Sequence, residues 1–256
     1  MVFLSLRGGT TAGVIDAPHE QAAKRKRDSA QPQGLERKRD SAQPQEFDRK
    51  IVYFHDFLSG PEFGRLRDAA ERQVRAKRVN IPIHKRGEAV SYPELQNSAP
   101  ELIAFYLSPK LHAWCSEVIG ERVQPTPPHD LSSCSLLIYD RPNDHFDWHH
   151  DINFYKGRHF TALLSLVNTD AAGVDVSSAK LRIREEAVES VIPTNPNTLV
   201  LFEGAYVYHS VTRLGEGQRR IILSMTFCTD PAAGVLQNFM RRGKDIAYFG
   251  LRALWT

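Results

Sequence analysis

The chain has 256 residues, 41% of them apolar, enough for one sizeable core with an appendage. Of its 33 Lys/Arg and 30 Asp/Glu, ten and seven fall within the first 50 residues, leaving 23 of each. The body is therefore electrically balanced, which excludes a dedicated nucleic-acid binder that works through the folded body.

No apolar run approaches the roughly 20 residues of a membrane span, and MVFLSL, cut short by Arg7, is too brief for a secretory core. Cys115, Cys134 and Cys228 are few, odd in number and widely spaced, which suits a reducing, cytoplasmic setting and offers no zinc-finger spacing. Residues 25–33 and 37–45 both read RKRDSAQPQ. The segment is polar and almost free of aromatics, so it cannot bury enough surface to offset its ordering entropy. Residues 1–48 are predicted to be a disordered basic tail ahead of one domain over 49–256. The two basic clusters also match a bipartite nuclear-import address, although a duplicated solvated linker is the plainer reading.

Folded sequence begins at Ile51, where IVYFHDF reads as a strand. Ser59 and Glu62 form an S-x-x-E capping box, and Phe63, Leu66, Ala70 and Val74 follow at helical spacing, which predicts a helix over 60–76. Ser98 and Glu101 repeat the box before LIAFYL, and Pro109 opens another helix that stops at Gly120. From Ser132 the runs CSLLIY, HFTALLSLVN, AKLRIR, SVIP, TLVLFE, YVYHSV and RRIILSMTF alternate with Pro, Gly and Asn turns, predicting an antiparallel sandwich or barrel. The end of the chain, from Gly234 to Trp255, reads as helical.

Within WHHDINFYKGRHF, His149 and Asp151 form an H-x-D, and His209 follows sixty residues later in YVYHSV. Two histidines and a carboxylate on one face are the ligand set of non-haem iron(II) sites with open coordination positions. Arg219 opens the last strand ten residues after His209, where a guanidinium fork can grip a carboxylate. Its neighbour Arg220 is a rival. Alternation groups Arg219 with Ile221, Leu223, Met225 and Phe227, the more uniformly apolar and hence inward face. His145-Phe146-Asp147 is a second H-x-D, but it lies beside the turn RPND, at the wrong end of the strand. His150 is then expected to point away from the metal, and Trp148 to lie on the barrel exterior or in a subunit contact. Arg182 and Arg184 read either as an anion-greeting pair or, more simply, as part of an exposed barrel face.

YDRPNDHFDWHHD, VNTD after a strand, TLVLFEGAYVYHSV and GQRRIILSMTF together resemble the 2-oxoglutarate/iron(II)-dependent oxygenases, in their prolyl-hydroxylase-like branch. The likeness spans about Ile51 to Asp230. It implies a mostly β fold: a double-stranded β-helix (jelly-roll, cupin-like) core buttressed by N-terminal helices and a C-terminal helix. It further implies His149, Asp151 and His209 as iron ligands, Arg219 as the anchor for the distal carboxylate of 2-oxoglutarate, and Tyr139 as a hydroxyl near that cosubstrate. Fe(II), 2-oxoglutarate and O2 would be required, with ascorbate as an optional reductant. The expected activity couples oxidative decarboxylation of 2-oxoglutarate to hydroxylation or a related C–H oxidation of a small-molecule or amino-acid-like substrate. A peptidyl side-chain hydroxylase, a zinc hydrolase with the same ligands and a non-catalytic cupin-like module are the rival readings. Oligomeric state and substrate identity are not legible.

Overall fold

Apolar runs separated by turns fold into strands that pair antiparallel throughout, and a few capped helices pack against one side of them. The computed structural model describes residues 12–14, 51–72, 77–81 and 84–249. In chain order these are β1 (Ala12–Val14), β2 (Ile51–Phe54), α1 (Gly60–Glu71), β3 (Lys77–Ile81), β4 (Lys85–Val90), α2 (Tyr92–Ser98), α3 (Pro100–Tyr106) and α4 (Pro109–Ile119). There follow β5 (Gln124–Pro125), β6 (Cys134–Tyr139), β7 (His145–His149), β8 (His159–Thr169), β9 (Leu181–Glu185), β10 (Val188–Ile192), β11 (Leu199–Glu203), β12 (Tyr208–Val211), β13 (Arg219–Cys228) and α5 (Val235–Phe249). No described helix is long and apolar enough to cross a membrane.

The strands run β1-β2-β11-β8-β13-β6-β4-β7-β12-β9-β10, with β3 added beside β4 and β5 beside β13. This is a nearly closed, double-stranded β-helix type of core, as expected. β4 joins its two halves: Glu88, Ala89 and Val90 pair with β6, whereas Lys85 and Arg86 pair with β7. Gly87 sits at that corner, where a Cβ would lie 3.1 Å from the carbonyl oxygen of Ile138 and 3.5 Å from the Tyr139 ring.

Two large apolar clusters divide the interior, with a small third one at Ala89, Leu131 and Phe249. In the larger one, Leu66, Leu95, Leu102, Ile103, Leu111 and Ile119 of the helices cover Leu164, Leu166, Leu201, Leu223, Met225 and Phe227 of the sheet. The second, inside the β-helix, contains Leu181, Ile183, Val200, Phe202 and Ile222. β8 and β13 are almost entirely buried because one face serves each large cluster.

Several sequence expectations change in detail. Three residues of the tail predicted to be disordered, Ala12–Val14, form an edge strand on β2, because an apolar Ala-Gly-Val can satisfy backbone groups that the edge of β2 leaves open. The RKRDSAQPQ repeats lie outside the described residues. α1 ends at Glu71, and 73–76 also lie outside. Ser98 does not cap a helix, because it closes α2, while Pro100 starts α3 behind Ala99. The capping box belongs to Ser91, whose backbone N–H donates to Glu94 (2.9 Å). The β3–β4 hairpin has no counterpart in the expected elements.

Candidate metal centre and its cavity

β7 and β12 pair so that His149 and His209 stand directly opposite each other, with ring centroids 4.2 Å apart. The chain leaves β7 after His149 and is caught at once: the Asp151 N–H donates to the Gly204 carbonyl (3.0 Å). Gly204 is required there, since a Cβ would fall 2.3 Å from Asp151 Oδ2. Asp151 Oδ1 lies 3.8 Å from both His149 Nε2 and His209 Nε2, and one donor atom from each residue falls within 4.8 Å of the others.

The surrounding bonds orient these donors. His149 Nδ1–H donates to the Asp147 carbonyl (2.7 Å) and His209 Nδ1–H to the Val207 carbonyl (2.9 Å). A carbonyl only accepts, so Nδ1 carries the proton and each Nε2 lone pair faces Asp151. Asp151 Oδ2 accepts from Thr161 Oγ1 (2.7 Å), which leaves Oδ1 for a cation. Phe146 stacks on His149 at 3.8 Å, and Phe202 meets His209 edge-on at 4.9 Å. Burial pushes His149 down to about 3, with the adjacent His209 adding to the effect and Asp151 opposing it. Burial tends to raise Asp151, but His209, His149 and the Thr161 hydroxyl outweigh it and hold the carboxyl below its usual range. A neutral imidazole and an ionised carboxylate are the protonation states a divalent cation needs. The donor set therefore fits an iron(II)-type ion with an open side toward the cavity.

That cavity holds about 300 Å³ and is lined by both faces of the β-helix interior. Tyr139 stands on its wall, fully buried, with its hydroxyl toward the Arg220 side chain. Its cross-strand neighbour is Arg220, 1% exposed, whose guanidinium lies 5.3 Å from the Tyr139 ring centroid. Arg220 Nε is unpartnered, and among the described residues no carboxylate pairs with this arginine. Burial lowers its pKa from the ordinary arginine value, with Tyr139 opposing.

Arg219, the expected anchor, is not in the cavity. Its side chain is 42% exposed and meets Glu71 at the end of α1 (3.3 Å). The alternation was read correctly but assigned to the wrong side. Ile221, Leu223, Met225 and Phe227 are uniformly apolar because they pack under the helices, whereas Arg220, Ile222, Ser224 and Thr226 line the cavity. The chamber that takes a polar ligand is the more polar of two buried faces.

His145 stays apart from the triad, with its Nδ1 bonded to the Asn143 carbonyl (2.8 Å) at the turn end of β7. His150 is exposed at the cavity rim, 4.9 Å from the Tyr208 ring. Trp148 stacks on Tyr208 and is covered by Arg184 (4.3 Å) and Arg182 (4.9 Å), both of which also pair with Glu189. These arginines thus belong to an outer-face ladder. The cavity residues that sequence reasoning missed are Lys85 and His84 on the β3–β4 hairpin, Thr161, and Tyr248 on α5. Thr161 had a signal, a hydroxyl in an apolar run; a lysine in the polar stretch HKRG had none.

α5 closes one end of the chamber. Lys244 pairs with Asp130 (2.8 Å), Asp130 also accepts from the Tyr155 hydroxyl (2.8 Å), and Arg241 pairs with Asp245 (3.1 Å) while donating to the His129 carbonyl. Burial would raise Asp130, but Lys244, Tyr155 and Ser132 hold it well below the usual carboxylate range.

Neither a protein-family profile nor a curated protein sequence matches the chain. Solved structures do match in fold. A 2OG-Fe(II) oxygenase family oxidoreductase from Burkholderia pseudomallei aligns over 73% of this chain and 89% of its own, with a TM-score of 0.58 and 12% identity. A Pseudomonas putida prolyl-4-hydroxylase aligns over 70% and 91%, with a TM-score of 0.51 and 16% identity. The epimerase SnoN from nogalamycin biosynthesis, which has been crystallised with Fe3+, alpha ketoglutarate and nogalamycin RO, aligns over 70% and 78%, with a TM-score of 0.56 and 12% identity. The chain thus has the fold of the 2-oxoglutarate/iron(II) oxygenases, prolyl hydroxylases included.

Proposed function

We propose that this protein is a 2-oxoglutarate- and iron(II)-dependent oxygenase that hydroxylates, or otherwise oxidises at C–H, a small-molecule or amino-acid-like substrate. The observation that carries this reading is the pairing of the His149/Asp151/His209 donor set with a buried, carboxylate-free Arg220 in one cavity of this fold. A metal-binding module without turnover gives no role to that arginine.

His149 and His209 would offer Nε2, and Asp151 Oδ1, to the metal. Bound there with 2-oxoglutarate and dioxygen, iron(II) supplies the oxidising power for C–H chemistry, with the 2-oxo acid leaving as succinate and CO2. The chain's own residues do the rest. Asp147 and Val207 carbonyls fix the imidazole tautomers, and Thr161 and Gly204 fix the carboxylate. Arg220, rather than Arg219, would grip the distal carboxylate of the cosubstrate with its fork, with the Tyr139 hydroxyl beside it. The apolar walls around Phe146 and Phe202 keep bulk water from the ligands. A volume of about 300 Å³ is at the small end for ligand pockets, which favours a compact substrate over a peptide segment. Ascorbate would act only as an accessory reductant.

The test is turnover of 2-oxoglutarate to succinate by the purified full-length chain. Ferrous ion should support it and zinc should not. Absence of both 2-oxoglutarate binding and succinate formation in the ferrous protein would refute the reading.

A further inference from the structure

The cavity holds a second cation that the site described above does not use. Lys85 is 2% exposed and has no hydrogen-bond or ion-pair acceptor among the described residues. Its ammonium lies between two rings, 4.8 Å from the centroid of Phe146 and 4.7 Å from that of Tyr248. Cation–π contacts offset part of the desolvation of a buried ammonium, but they do not supply its hydrogen-bond acceptors. Burial pushes Lys85 down to about 7, against an upward pull from Asp151.

Two other positions have alternative explanations. Lys244, also on the cavity wall, is neutralised by Asp130. Arg220 stands on β13, with β6 between it and β4, so its backbone is two strands, about 10 Å, from that of Lys85. That backbone spacing leaves room for two carboxylates in the cavity, one at each cation.

We infer that Lys85 is the specificity-determining residue for the primary substrate, which is a small monocarboxylate whose apolar body lies against Leu137 and Ala89. This rests on the oxygenase reading above, since it assigns Arg220 to the cosubstrate. A monocarboxylate is preferred to a phosphate because Lys85 is the one unpaired lysine among the described residues lining this wall. A phosphate dianion would need several donors. His149 stacks on Phe146 (3.8 Å) and Lys85 lies over that ring, so the apolar Leu137 and Ala89 on the cavity wall are left to meet a planar or aliphatic body.

Binding calorimetry on the full chain, anaerobic and loaded with ferrous ion and 2-oxoglutarate, tests this. The probes are benzoate, phenylacetate and cinnamate, each beside its primary amide. At least one acid should bind wild type about thirtyfold or more tightly than its amide, and Lys85→Met should remove that preference. Lys85→Met should leave 2-oxoglutarate affinity within about twofold of wild type, and Lys85→Arg should restore part of the acid preference. The Lys85→Met protein should also melt no lower than wild type without ligands, since a purely structural lysine would lower it.

The inference is overturned if no acid outbinds its amide on wild type. It is overturned equally if Lys85→Met keeps the preference, or if Lys85→Met loses 2-oxoglutarate while Arg220→Met retains it, which would make Lys85 the cosubstrate anchor. The first comparison needs only wild type and so survives a variant that fails to fold. Failure of the oxygenase reading looks different: wild type would not bind 2-oxoglutarate, yet a Lys85-dependent acid preference could still be read in its absence.

Discussion

Ile221, Leu223, Met225 and Phe227 leave one side of β13 and pack beneath the helices, while Arg220, Ile222, Ser224 and Thr226 leave the other and line the cavity. Both faces are buried, but the first is closed mainly by apolar side chains. The second carries a guanidinium that, among the described residues, has no carboxylate and meets only the buried Tyr139. Apolar burial marks where the protein is held together; polar burial left without partners marks where it expects a ligand.

The comparison can be broken most sharply at the donor set beside the polar face. Asp151→Ala or His209→Ala should lower ferrous-ion affinity by more than about a hundredfold, because even partners outside a ligand set cost tenfold to a hundredfold. Thr161→Val should fall within that smaller range. Calorimetric titration of the metal checks both, and melting temperatures should stay within a few degrees of wild type.

Next is the arginine pair. Arg220→Ala should weaken 2-oxoglutarate binding by about thirtyfold to several thousandfold, as for a truncated buried charge pair of about 2–5 kcal/mol, while the metal still binds. Arg219→Ala should leave that affinity unchanged. A reversed outcome in the two titrations would return the anchor to Arg219.

On the apolar face, Leu223→Ala should cost about 2–5 kcal/mol in denaturant unfolding. Its cavity-side neighbour Ser224→Ala should cost much less. Equal losses would mean that both faces are structural.

Lys85 sharpens the contrast through pH. Its folded pKa of about 7 lies below the ordinary lysine value of 10.5, so the native state releases the proton first. Between those values the unfolded chain binds more protons, and stability rises with pH. The charged form is destabilising below about pH 7. Lys85→Met should therefore gain most over wild type near pH 6, and the gain should shrink as pH climbs toward 10. A gain that does not vary with pH would show that Lys85 does not titrate in this window. The smallest effect expected is the stability change in Arg219→Ala, an exposed ion pair worth about 1 kcal/mol or less.

Much of this was legible in the sequence because it was local. Turn residues delimited β6 to β13, and the H-x-D with a later histidine marked the triad, since strand ends deliver side chains to one rim. Arg220 was named but ranked behind Arg219 for a physical reason: alternation tells which residues share a face, but not which of two buried faces encloses the cavity. Lys85 was missed because its burial depends on the non-local pairing of β4 with β7 and on Tyr248 from α5. The Ser98 box failed because an adjacent helix competed for the same serine.

The corner in β4 has one more consequence. Lys85 is the direct cross-strand partner of Phe146, and His149 lies three residues further along that same strand, β7. The cation proposed to select a carboxylate therefore pairs with the strand that carries a proposed metal donor, and a one-residue slip of this β4–β7 ladder would turn Lys85 out of the chamber. The ladder acts as a ruler. On the oxygenase reading proposed above, an acid seated at Lys85 would meet the metal at a fixed distance along its own skeleton, so homologous acids one methylene longer or shorter would be oxidised at a different carbon counted from the carboxyl group.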